Sequence, residues 1–406
     1  MAHDAGLIFT LNAGSSSIKF SVYDTGLDRN SDGEPDELLG GQVERLGPAA
    51  LLTVHDATGP GPTGGPSVEQ STEEIGAADH AIAIRAILAR IRAILGDRPV
   101  AGIGHRIVHG GLDFGAPVRL DDEVVAKLAA LAPLAPLHQP HNLAAVAAAR
   151  EAFPHAPQVG CFDTAFHRGQ AFVEDAFAIP MRFYEEGVRR YGFHGLSYDY
   201  VSGALAATEP GLAKGRVVIA HLGNGASACA LSGGRSVAST MGFSALDGLA
   251  MGTRCGQLDP AVLLYMMDGG LTAAEVTTIL YKESGLKGLS GMGNDMRALQ
   301  AAADEGHEGA GRAIDYFVHR LRREIGSLAA ALGGLDALVF TGGIGENSAL
   351  VRARACEGMD WMGLALDPDA NEASARDIGA GAVAVRVIPT DEERVIARSV
   401  AREIAA

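Results

Sequence analysis

The alternation of hydrophobic and polar positions predicts two β-hairpins about half a chain apart. In each hairpin, two short strands with partial alternation flank a turn of small and polar residues. Glycine and asparagine are typical of such turns because both tolerate positive φ angles. The predicted strands are 7–12 with 18–24, around Ala13-Gly14-Ser15-Ser16, and 217–222 with 226–231, around Gly223-Asn224-Gly225. Either turn alone would be typical of a plain hairpin, but the repetition favours a duplicated α/β unit that presents two phosphate-facing turns.

The rest of the pattern places helices between short buried strands. Apolar runs predict strands at 100–105, 158–162, 337–341 and 383–388. Helical periodicity predicts helices at 72–95, 122–131, 142–153, most of 260–333 except 284–293, and 391–404. Residues 26–71 are rich in glycine, proline and aspartate, and we interpret them as strands of undetermined register joined by surface turns. Strands that alternate with helices favour the α/β class.

Composition and charge restrict the class of protein. A chain of 406 residues is longer than one hydrophobic core usually organises, so two domains are expected. The sequence contains neither an apolar run of the roughly 20 residues that a membrane helix needs nor a signal-peptide pattern. We therefore expect a cytoplasmic protein whose four cysteines are reduced. The formal charge of −16 argues against nucleic acid and membrane as partners.

Residues 12–19 have the composition of an anion-binding turn. They combine the backbone N–H groups of a small-residue turn with serine hydroxyls and the ammonium of Lys19. No Walker A motif occurs in the chain, and no complete G-x-G-x-x-G sequence follows a predicted strand, which disfavours a P-loop kinase and a dinucleotide-binding dehydrogenase. A further glycine-rich loop is predicted at 342–348, between a strand and a helix. A nucleotide can approach the backbone closely there, although a tight βα turn would have the same pattern.

Two arginines lie in apolar, glycine-rich surroundings. Arg106 ends a predicted strand between two histidines, and Arg254 lies in a loop before a helix. A guanidinium in such surroundings needs an anionic partner, either a substrate carboxylate or phosphoryl group, or an internal acid such as Asp113 or Asp259. A histidine framed by aromatic residues, such as His194, is by itself more often a hydrogen-bonded core residue than a catalytic one.

Taken together, these segments closely resemble the acetate kinase family over residues 7–398. The resemblance rests on nine segments in order: 12–19, 104–111, 135–138, 162–167, 191–195, 221–225, 248–260, 340–348 and 389–393. The family belongs to the superfamily of acetate and sugar kinases, heat-shock chaperones and actin. The resemblance implies an α/β fold of two duplicated ribonuclease H-like (actin-like ATPase) domains with an interdomain nucleotide cleft. It also implies a homodimer. The implied N-terminal domain is 1–167 plus 392–406, with a returning last helix, and the C-terminal domain is 168–391, with adenosine-binding loops.

The resemblance also implies an activity, the reversible transfer of the ATP γ-phosphoryl group to acetate, giving acetyl phosphate and ADP, with Mg²⁺ (or Mn²⁺) as cofactor. A carboxylate is already nucleophilic at pH 7, so the reaction requires no strong base. We expect direct in-line transfer, helped mainly by positioning and by groups that stabilise negative charge. The alternatives are a propionate or butyrate kinase of the same fold and, more remotely, an actin-like or chaperone-like ATPase module.

Family roles are carried over position by position. The implied catalytic residues are Arg106, Asp163, His194 and Arg254. Those implied to line the substrate pocket are Arg106, Val108, Leu137, His138, Phe193 and Ala245. Those implied to bind the nucleotide are Asn12, Ser15, Ser17, Lys19, His221, Asn224, Gly225, Asp295, Met296, Arg297, Gly343, Ile344, Gly345, Glu346 and Asn347. Asn12 and Glu392 are the implied metal ligands, and Asp163 would help to position the ion directly or through water.

Two segments depart from the family pattern. The family motif that often continues Gly-Thr-Ser-His is Gly195-Leu196-Ser197-Tyr198 here, at positions to which we assign no chemistry. Ala245 stands where the family often has proline, in the segment implied to border the substrate methyl group. Because a buried methylene contributes only about 0.8 kcal/mol, this slightly roomier pocket is expected to tolerate propionate without preferring it.

Overall fold

The computed structural model describes residues 6–14, 17–25, 35–60, 66–96, 98–136 and 138–405. Ser15 and Leu137, both predicted site residues, lie outside the described residues, and so does Ser16 of the first hairpin turn. The chain divides into two compact units. The first unit is Met1–Ala165 with Asp391–Ala406, and the second is Phe166–Thr390.

Strands form one sheet in each unit. Within the described residues they are β1 (Leu7–Ala13), β2 (Ser17–Asp24), β3 (Asp36–Glu44), β4 (Gly47–Pro60), β5 (Pro66–Ala78), β6 (Val100–Ile107), β7 (Val118–Arg119), β8 (Gln158–Phe162), β9 (Arg216–Leu222), β10 (Ala226–Ser232), β11 (Arg235–Ser239), β12 (Ala337–Thr341) and β13 (Ala384–Val387).

Helices account for most of the remaining described chain. They are α1 (His80–Leu95), α2 (Asp122–Ala130), α3 (Gln139–Ala152), α4 (Phe172–Asp175), α5 (Met181–Glu185), α6 (Gly195–Thr208), α7 (Pro210–Ala213), α8 (Pro260–Asp268), α9 (Ala273–Thr278), α10 (Gly285–Ser290), α11 (Met296–Asp304), α12 (Glu308–Leu332), α13 (Gly342–Asn347), α14 (Ala349–Cys356), α15 (Pro368–Glu372) and α16 (Glu392–Ala405). Short 3₁₀ turns occur at Ala132–Leu134, Ala165–His167 and Asp360–Met362, and a π turn at Ile279–Glu283. No helix in the described part of the chain is long and apolar enough to cross a membrane.

The two sheets share a five-strand order, which confirms the predicted duplication. In the first unit the order is β3-β2-β1-β6-β8, extended by β5 and β4 on one side and β7 on the other; in the second it is β11-β10-β9-β12-β13. In both, the first three strands are antiparallel and the last three are parallel. The predicted hairpins are β1–β2 and β9–β10, so corresponding turns occupy corresponding edges of the two sheets.

The core of the first unit depends on close packing of α16 against β6. Val100–Ile107 includes Gly102 and Gly104, where an added Cβ would lie 2.6 Å from Val400 and 2.2 Å from Ile396. Only glycine therefore leaves room for the helix on this strand. Helices α1 and α3 pack together in the same unit, and α3 also contacts β1 and β6.

In the second unit, the long helix α12 covers the sheet. Its buried face includes Ile314, Phe317, Leu321 and Ile325, at helical spacing, and it packs on β9, β10 and β11. Every residue of β12 is buried, as expected for a strand between two parallel neighbours. The packing of this sheet positions the ends of β9 and β12. The turn Gly223-Asn224-Gly225 follows β9, and α13 follows β12.

Three predicted elements were wrong in detail. Residues 72–78 belong to β5 rather than to the following helix, because Gly76 has φ 72° and the segment pairs with β4. The expected break at 284–293 contains α10, a helix bounded by Gly285 and Gly291, both at positive φ. The glycine-rich loop predicted at 342–348 is largely the short helix α13, whose first N–H group donates to the Glu346 carboxylate at 2.8 Å.

Candidate active site

Arg106 is the centre of a charged cluster in the first unit. It is the last residue but one of β6, and Asp163 follows the parallel neighbour β8, so their side chains meet at the same edge of the sheet. Arg106 Nη2 donates to Asp163 Oδ2 at 2.6 Å, and Nε donates to Oδ1 at 2.9 Å. Its Nη1 donates to Asn12 Oδ1 at 3.0 Å, and Nε lies 3.6 Å from Glu392 Oε2. An internal acid for this arginine was one of the sequence alternatives, and the acid is Asp163 rather than Asp113.

Charges in this cluster perturb one another strongly. Burial by itself would lower the pKa of Arg106, but the charges of Asp163 and Glu392 outweigh it and raise that pKa above its ordinary value. Burial, with the neighbouring Asp163 and Glu393, raises the pKa of Glu392 to about 7, although Arg106 opposes this. The cluster therefore has an excess of carboxylates over cations, which favours the addition of a further positive charge.

The oxygen donors of this cluster suit a hard divalent cation. They are the Asn12 amide oxygen, which accepts from Arg106, and the carboxylates of Asp163 and Glu392. Among the described residues, no group of three histidine, cysteine or acidic side chains is arranged to hold a metal ion. Mg²⁺, however, usually takes one or two carboxylates and completes its shell with water and substrate phosphates. The donor set therefore fits such an ion.

The remaining predicted residues of the first unit surround the β1–β2 hairpin and the end of β6. Val108 is buried, and its N–H donates to Asn142 Oδ1 at 3.0 Å. Asn142 Nδ2 donates to Ala13 O at 2.7 Å, so one buried amide ties the Val108 segment to the hairpin. Sequence reasoning missed Asn142, whose position at the start of a predicted helix gave no sign of this role. Ser17 and His138 are half-buried, and Lys19 is exposed.

His194 and His221 form a second cluster, in the second unit. Their rings stack with centroids 4.4 Å apart. His194 adopts a left-handed backbone conformation, φ 58°, immediately before α6. Such a conformation is strained for a residue with a side chain and is typical of functional positions. His194 Nδ1 lies 2.8 Å from Ser227 Oγ, and His221 Nδ1 lies 2.8 Å from Ser197 Oγ.

Arg254 reaches the same place from another loop. It is half-buried, and its Nη1 donates to the carbonyl of Ala245 at 2.5 Å. A Cβ built on Gly225 would lie 2.8 Å from Arg254 Nη2 and 3.2 Å from His194 Nε2. The two nitrogens therefore converge over the turn of the second hairpin. Phe193 is buried, and its carbonyl accepts a hydrogen bond from His167 Nε2 at 3.0 Å.

A large cavity in the second unit lies beside this turn. Its volume is about 1220 Å³, larger than most small-molecule sites. The predicted nucleotide residues that line it are Asn224, Asp295, Met296, Arg297, Gly343, Ile344 and Asn347. Sequence reasoning missed lining residues from α14 and α15, such as Leu350 and Pro368, whose segments carry no recognisable motif.

Two side-chain contacts shape the wall of this cavity. The Asp295 carboxylate accepts hydrogen bonds from the Arg297 and Ala298 N–H groups at the start of α11, and these bonds lower its pKa. Asn294 Nδ2 donates to Asn224 Oδ1 at 2.6 Å, linking the α11 side of the cavity to the hairpin turn.

Two of the predicted loop residues support the backbone. Glu346 Oε1 accepts from the N–H groups of Gly342 at 2.8 Å and Thr390 at 3.2 Å. Gly345 is buried, and its Cα faces the backbone of Phe340 and Ala220. Neither residue lines the cavity, in contrast to Gly343, Ile344 and Asn347 of the same helix.

Two duplicated actin-like α/β units with a nucleotide-sized cavity define a class of nucleotide-binding proteins that includes kinases and ATPases, and known proteins with this fold narrow the class further. Solved structures similar to this chain include an acetate kinase from Porphyromonas gingivalis, 37% identical with a TM-score of 0.85, covering 99% of this chain and 100% of that one. A propionate kinase from Francisella tularensis is 33% identical with a TM-score of 0.87, covering 97% and 98%. The acetate kinase of Methylocella silvestris is 55% identical over 96% of each chain. Residues 7–398 match the acetokinase family model, and the chain belongs to the acetokinase family.

Proposed function

We propose that this protein is an acetate kinase, which transfers the γ-phosphoryl group of ATP reversibly to acetate, giving acetyl phosphate and ADP. One observation carries the proposal. The turn Gly223-Asn224-Gly225 contributes its first two residues to the wall of the large cavity, while Arg254 and His194 converge over its third residue. A nucleotide with its adenosine in this cavity would therefore place its phosphates beside two groups that can neutralise negative charge.

The chemistry assigns each charged side chain a role. Arg254 binds the phosphoryl group in flight and His194 donates a hydrogen bond to its oxygens, with His138 as support. Arg106 binds the acetate carboxylate, and Asp163 holds its guanidinium in a fixed orientation through the paired hydrogen bonds. The main barrier is the approach of an anion to an anion. Fixed positive groups lower that barrier because they stabilise the charge on the equatorial oxygens.

A divalent cation belongs to the proposed cofactors. Asn12 and Glu392 would hold Mg²⁺, or Mn²⁺, with Asp163 acting directly or through water, and the donor set fits such an ion. When bound with the nucleotide, the ion would neutralise phosphate charge. Because the cluster carries excess carboxylate, it can compensate an added divalent charge without further acidic residues.

A cytoplasmic homodimer completes the proposal. Support for a partner copy comes from α8, which has no buried residue. Its Leu264, Tyr265 and Met267 side chains are 63%, 79% and 48% exposed. A second copy of the chain would cover this apolar face, as is usual in obligate dimers. Analytical ultracentrifugation tests this assembly, and a monomer at micromolar concentration would contradict it.

A propionate kinase is the second candidate. The similarity to the Francisella tularensis propionate kinase favours it, together with the small side chain of Ala245 near Arg254. Size selection in an apolar pocket is weak, because each methylene changes the binding free energy by only about 1 kcal/mol. The two activities therefore differ in relative rate rather than in mechanism.

An acyl hydroxamate assay of the purified protein tests the proposal directly. The reactions contain ATP, Mg²⁺ and, in turn, acetate, propionate, butyrate or no carboxylate. We expect the strongest product with acetate, none without Mg²⁺, and large losses in Arg106→Ala and Arg254→Ala. The exposed Arg235 on β11 provides the matched control, and Arg235→Ala should retain full activity.

Each other result of this assay has a definite meaning. More product with propionate or butyrate would transfer the assignment to the second candidate. Hydrolysis of ATP at the same rate with and without carboxylate, and without acyl phosphate, would indicate an ATPase module instead. With chirally labelled phosphorus, inversion is expected for direct in-line transfer, whereas retention would rule out a single transfer step.

A further inference from the structure

Tyr198 and Ser227 form a buried chain of hydrogen bonds that ends on His194. Tyr198 lies on α6, four residues after His194, and Ser227 lies on β10. The Tyr198 hydroxyl is 2.5 Å from Ser227 Oγ, which is in turn 2.8 Å from His194 Nδ1. Tyr198 and Ser227 are both 0% exposed. This tyrosine stands where the family motif Gly-Thr-Ser-His often has its histidine.

Counting the donors and acceptors of these hydrogen bonds fixes the direction of each one. Among the described residues, Ser227 is the hydrogen-bond partner found for the Tyr198 hydroxyl, and Ser227 Oγ contacts Tyr198 and His194. A buried hydroxyl proton without an acceptor costs about 1–3 kcal/mol, so the Tyr198 proton is donated to Ser227 Oγ. The Ser227 proton must then be donated to His194 Nδ1, since any other arrangement leaves one hydroxyl proton unpaired.

We infer that Tyr198, acting through Ser227, is a positioning residue that keeps His194 neutral with its proton on Nε2. Nδ1 accepts the hydrogen bond of the relay, so the ring proton must be on the other nitrogen. Nε2 is the atom that converges with Arg254 over Gly225. The relay thereby presents an N–H donor where the proposed function places the phosphoryl oxygens.

Two further features agree with a neutral histidine in this place. Arg254 Nη2 and His194 Nε2 both lie close to Gly225, so a positive charge on His194 would be repelled by the guanidinium. Burial raises the pKa of Tyr198 well above its ordinary value, so the hydroxyl remains a donor throughout the working pH range.

The catalytic meaning of the relay rests on the proposed function, but the tautomer does not. We would label the histidines with ¹⁵N and record the imidazole nitrogen shifts of the full-length protein, identifying His194 by the signal lost in His194→Gln. The expected spectrum shows that Nδ1 of His194 is unprotonated and that Nε2 is protonated. A protonated Nδ1, whether in the other tautomer or in the cation, would overturn the inference without any activity measurement.

Tyr198→Phe then tests whether the tyrosine sets this state. The ring and its packing are retained, but Ser227 loses the donor that orients its hydroxyl, so a second tautomer should become populated. Loss of one neutral hydrogen bond predicts a fall in kcat of about five-fold, with KM for acetate and ATP unchanged. Tyr200→Phe, at a half-buried position on the same helix, should change neither the spectrum nor the rate.

Ser227→Ala keeps the inference testable if the phenylalanine variant does not fold. It should lower kcat at least as far, and Tyr198→Phe added to it should have little extra effect, because the two residues act as one unit. If the losses of kcat in the double variant were additive, or if the His194 spectrum were unchanged in both single variants, Tyr198 would be only a core residue. Absence of acyl phosphate from wild-type protein with the expected spectrum would refute the proposed function and leave the tautomer assignment standing.

Discussion

Gly225 lies where three parts of the candidate site meet. Its own φ angle is not positive, so the backbone does not require glycine there. The space does require it, because a methyl group would lie 2.8 Å from Arg254 Nη2. The residue is therefore selected by the two side chains above it rather than by the turn that contains it.

Gly225→Ala is expected to lower kcat about 100-fold, since a displacement of about 1 Å at a reacting centre has effects of this size. The fold and the affinity for ATP should be largely retained, because the cavity is lined by Asn224 and not by Gly225. Steady-state kinetics and nucleotide titration measure the two effects separately. Gly203→Ala, on α6 with nothing within 4 Å of the new Cβ, is the control and should be neutral. Full activity of Gly225→Ala would show that Arg254 and His194 need not converge for the reaction.

Ala245 offers a test of acyl selectivity at a single residue. Proline at this position retains the carbonyl that accepts from Arg254 and adds volume to the proposed methyl pocket. Ala245→Pro should therefore lower kcat/KM for propionate more than for acetate, and Ala245→Gly should shift the ratio in the opposite direction. The ratio is expected to change about four-fold, the equivalent of one buried methylene. Equal effects on both substrates would show that Ala245 does not border the pocket.

At the scale of elements, the carboxylate of Glu346 stabilises α13, the helix to which the residue belongs. Glu346 was predicted to contact the nucleotide, yet its carboxylate accepts from Gly342 at the start of the helix and from Thr390 beyond β13. A charged acceptor for two backbone N–H groups is a strong contact, and a six-residue helix has few others to replace it.

Glu346→Ala should destabilise the second unit by about 2 kcal/mol, because two N–H groups lose their charged acceptor. It should also weaken ATP binding indirectly, since Gly343, Ile344 and Asn347 lie on the same helix and line the cavity. Urea denaturation and nucleotide titration are the measurements. Glu185→Ala, at an exposed position, is the control. Unchanged stability together with weaker ATP binding would point to direct nucleotide contact instead.

Sequence patterns predicted most strands and helices, and the failures share a cause. Alternation and periodicity located β8 and β12 to the residue, because both are short, fully buried and bounded by turns. They failed at Gly76, whose positive φ lies inside β5, and at Gly342, whose positive φ falls where β12 ends and α13 begins. No pattern in the surrounding side chains reports a backbone angle of that kind.

For the candidate site, motifs predicted the residues but not their partners. Arg106 and His194 were found from their surroundings, whereas Asn142 and Ser227, which hold other site groups in place, were not. Such partners lie far away in the sequence, and only the fold brings them within hydrogen-bond distance. The backbone contacts of Glu346 with Gly342 and Thr390 could not be predicted for the same reason, and its contact with the nucleotide stays a prediction.

At the scale of the molecule, each unit contains a buried neutral histidine that should make it sensitive to acid. Burial lowers the pKa of His105 and His167 to about 4, compared with about 6.5 in the unfolded chain. Between these values the unfolded chain binds more protons than the folded one, so acidification favours unfolding. Each histidine is expected to cost about 3 kcal/mol of stability as the pH falls from 6.5 to 4.

Thermal unfolding followed from pH 7 to pH 4.5 measures this effect. In the first unit, His105→Gln should flatten the decline in Tm, because glutamine takes up no proton and can still donate to Gln158. His319→Gln, at an exposed position, should leave the decline as it is in the wild-type protein. If the His105→Gln profile overlays that of the wild type, carboxylates rather than this histidine govern the acid response of the unit.

The return of α16 to the first unit has a consequence for the order of biosynthesis. Ile396 and Val400 fill the space above Gly104 and Gly102, yet the ribosome makes them only after all of Phe166–Thr390. Most of the second unit can thus begin to fold on the nascent chain while the first still exposes an apolar strip along β6. Until α16 has left the exit tunnel and packed on β6, that strip stays open to a chaperone.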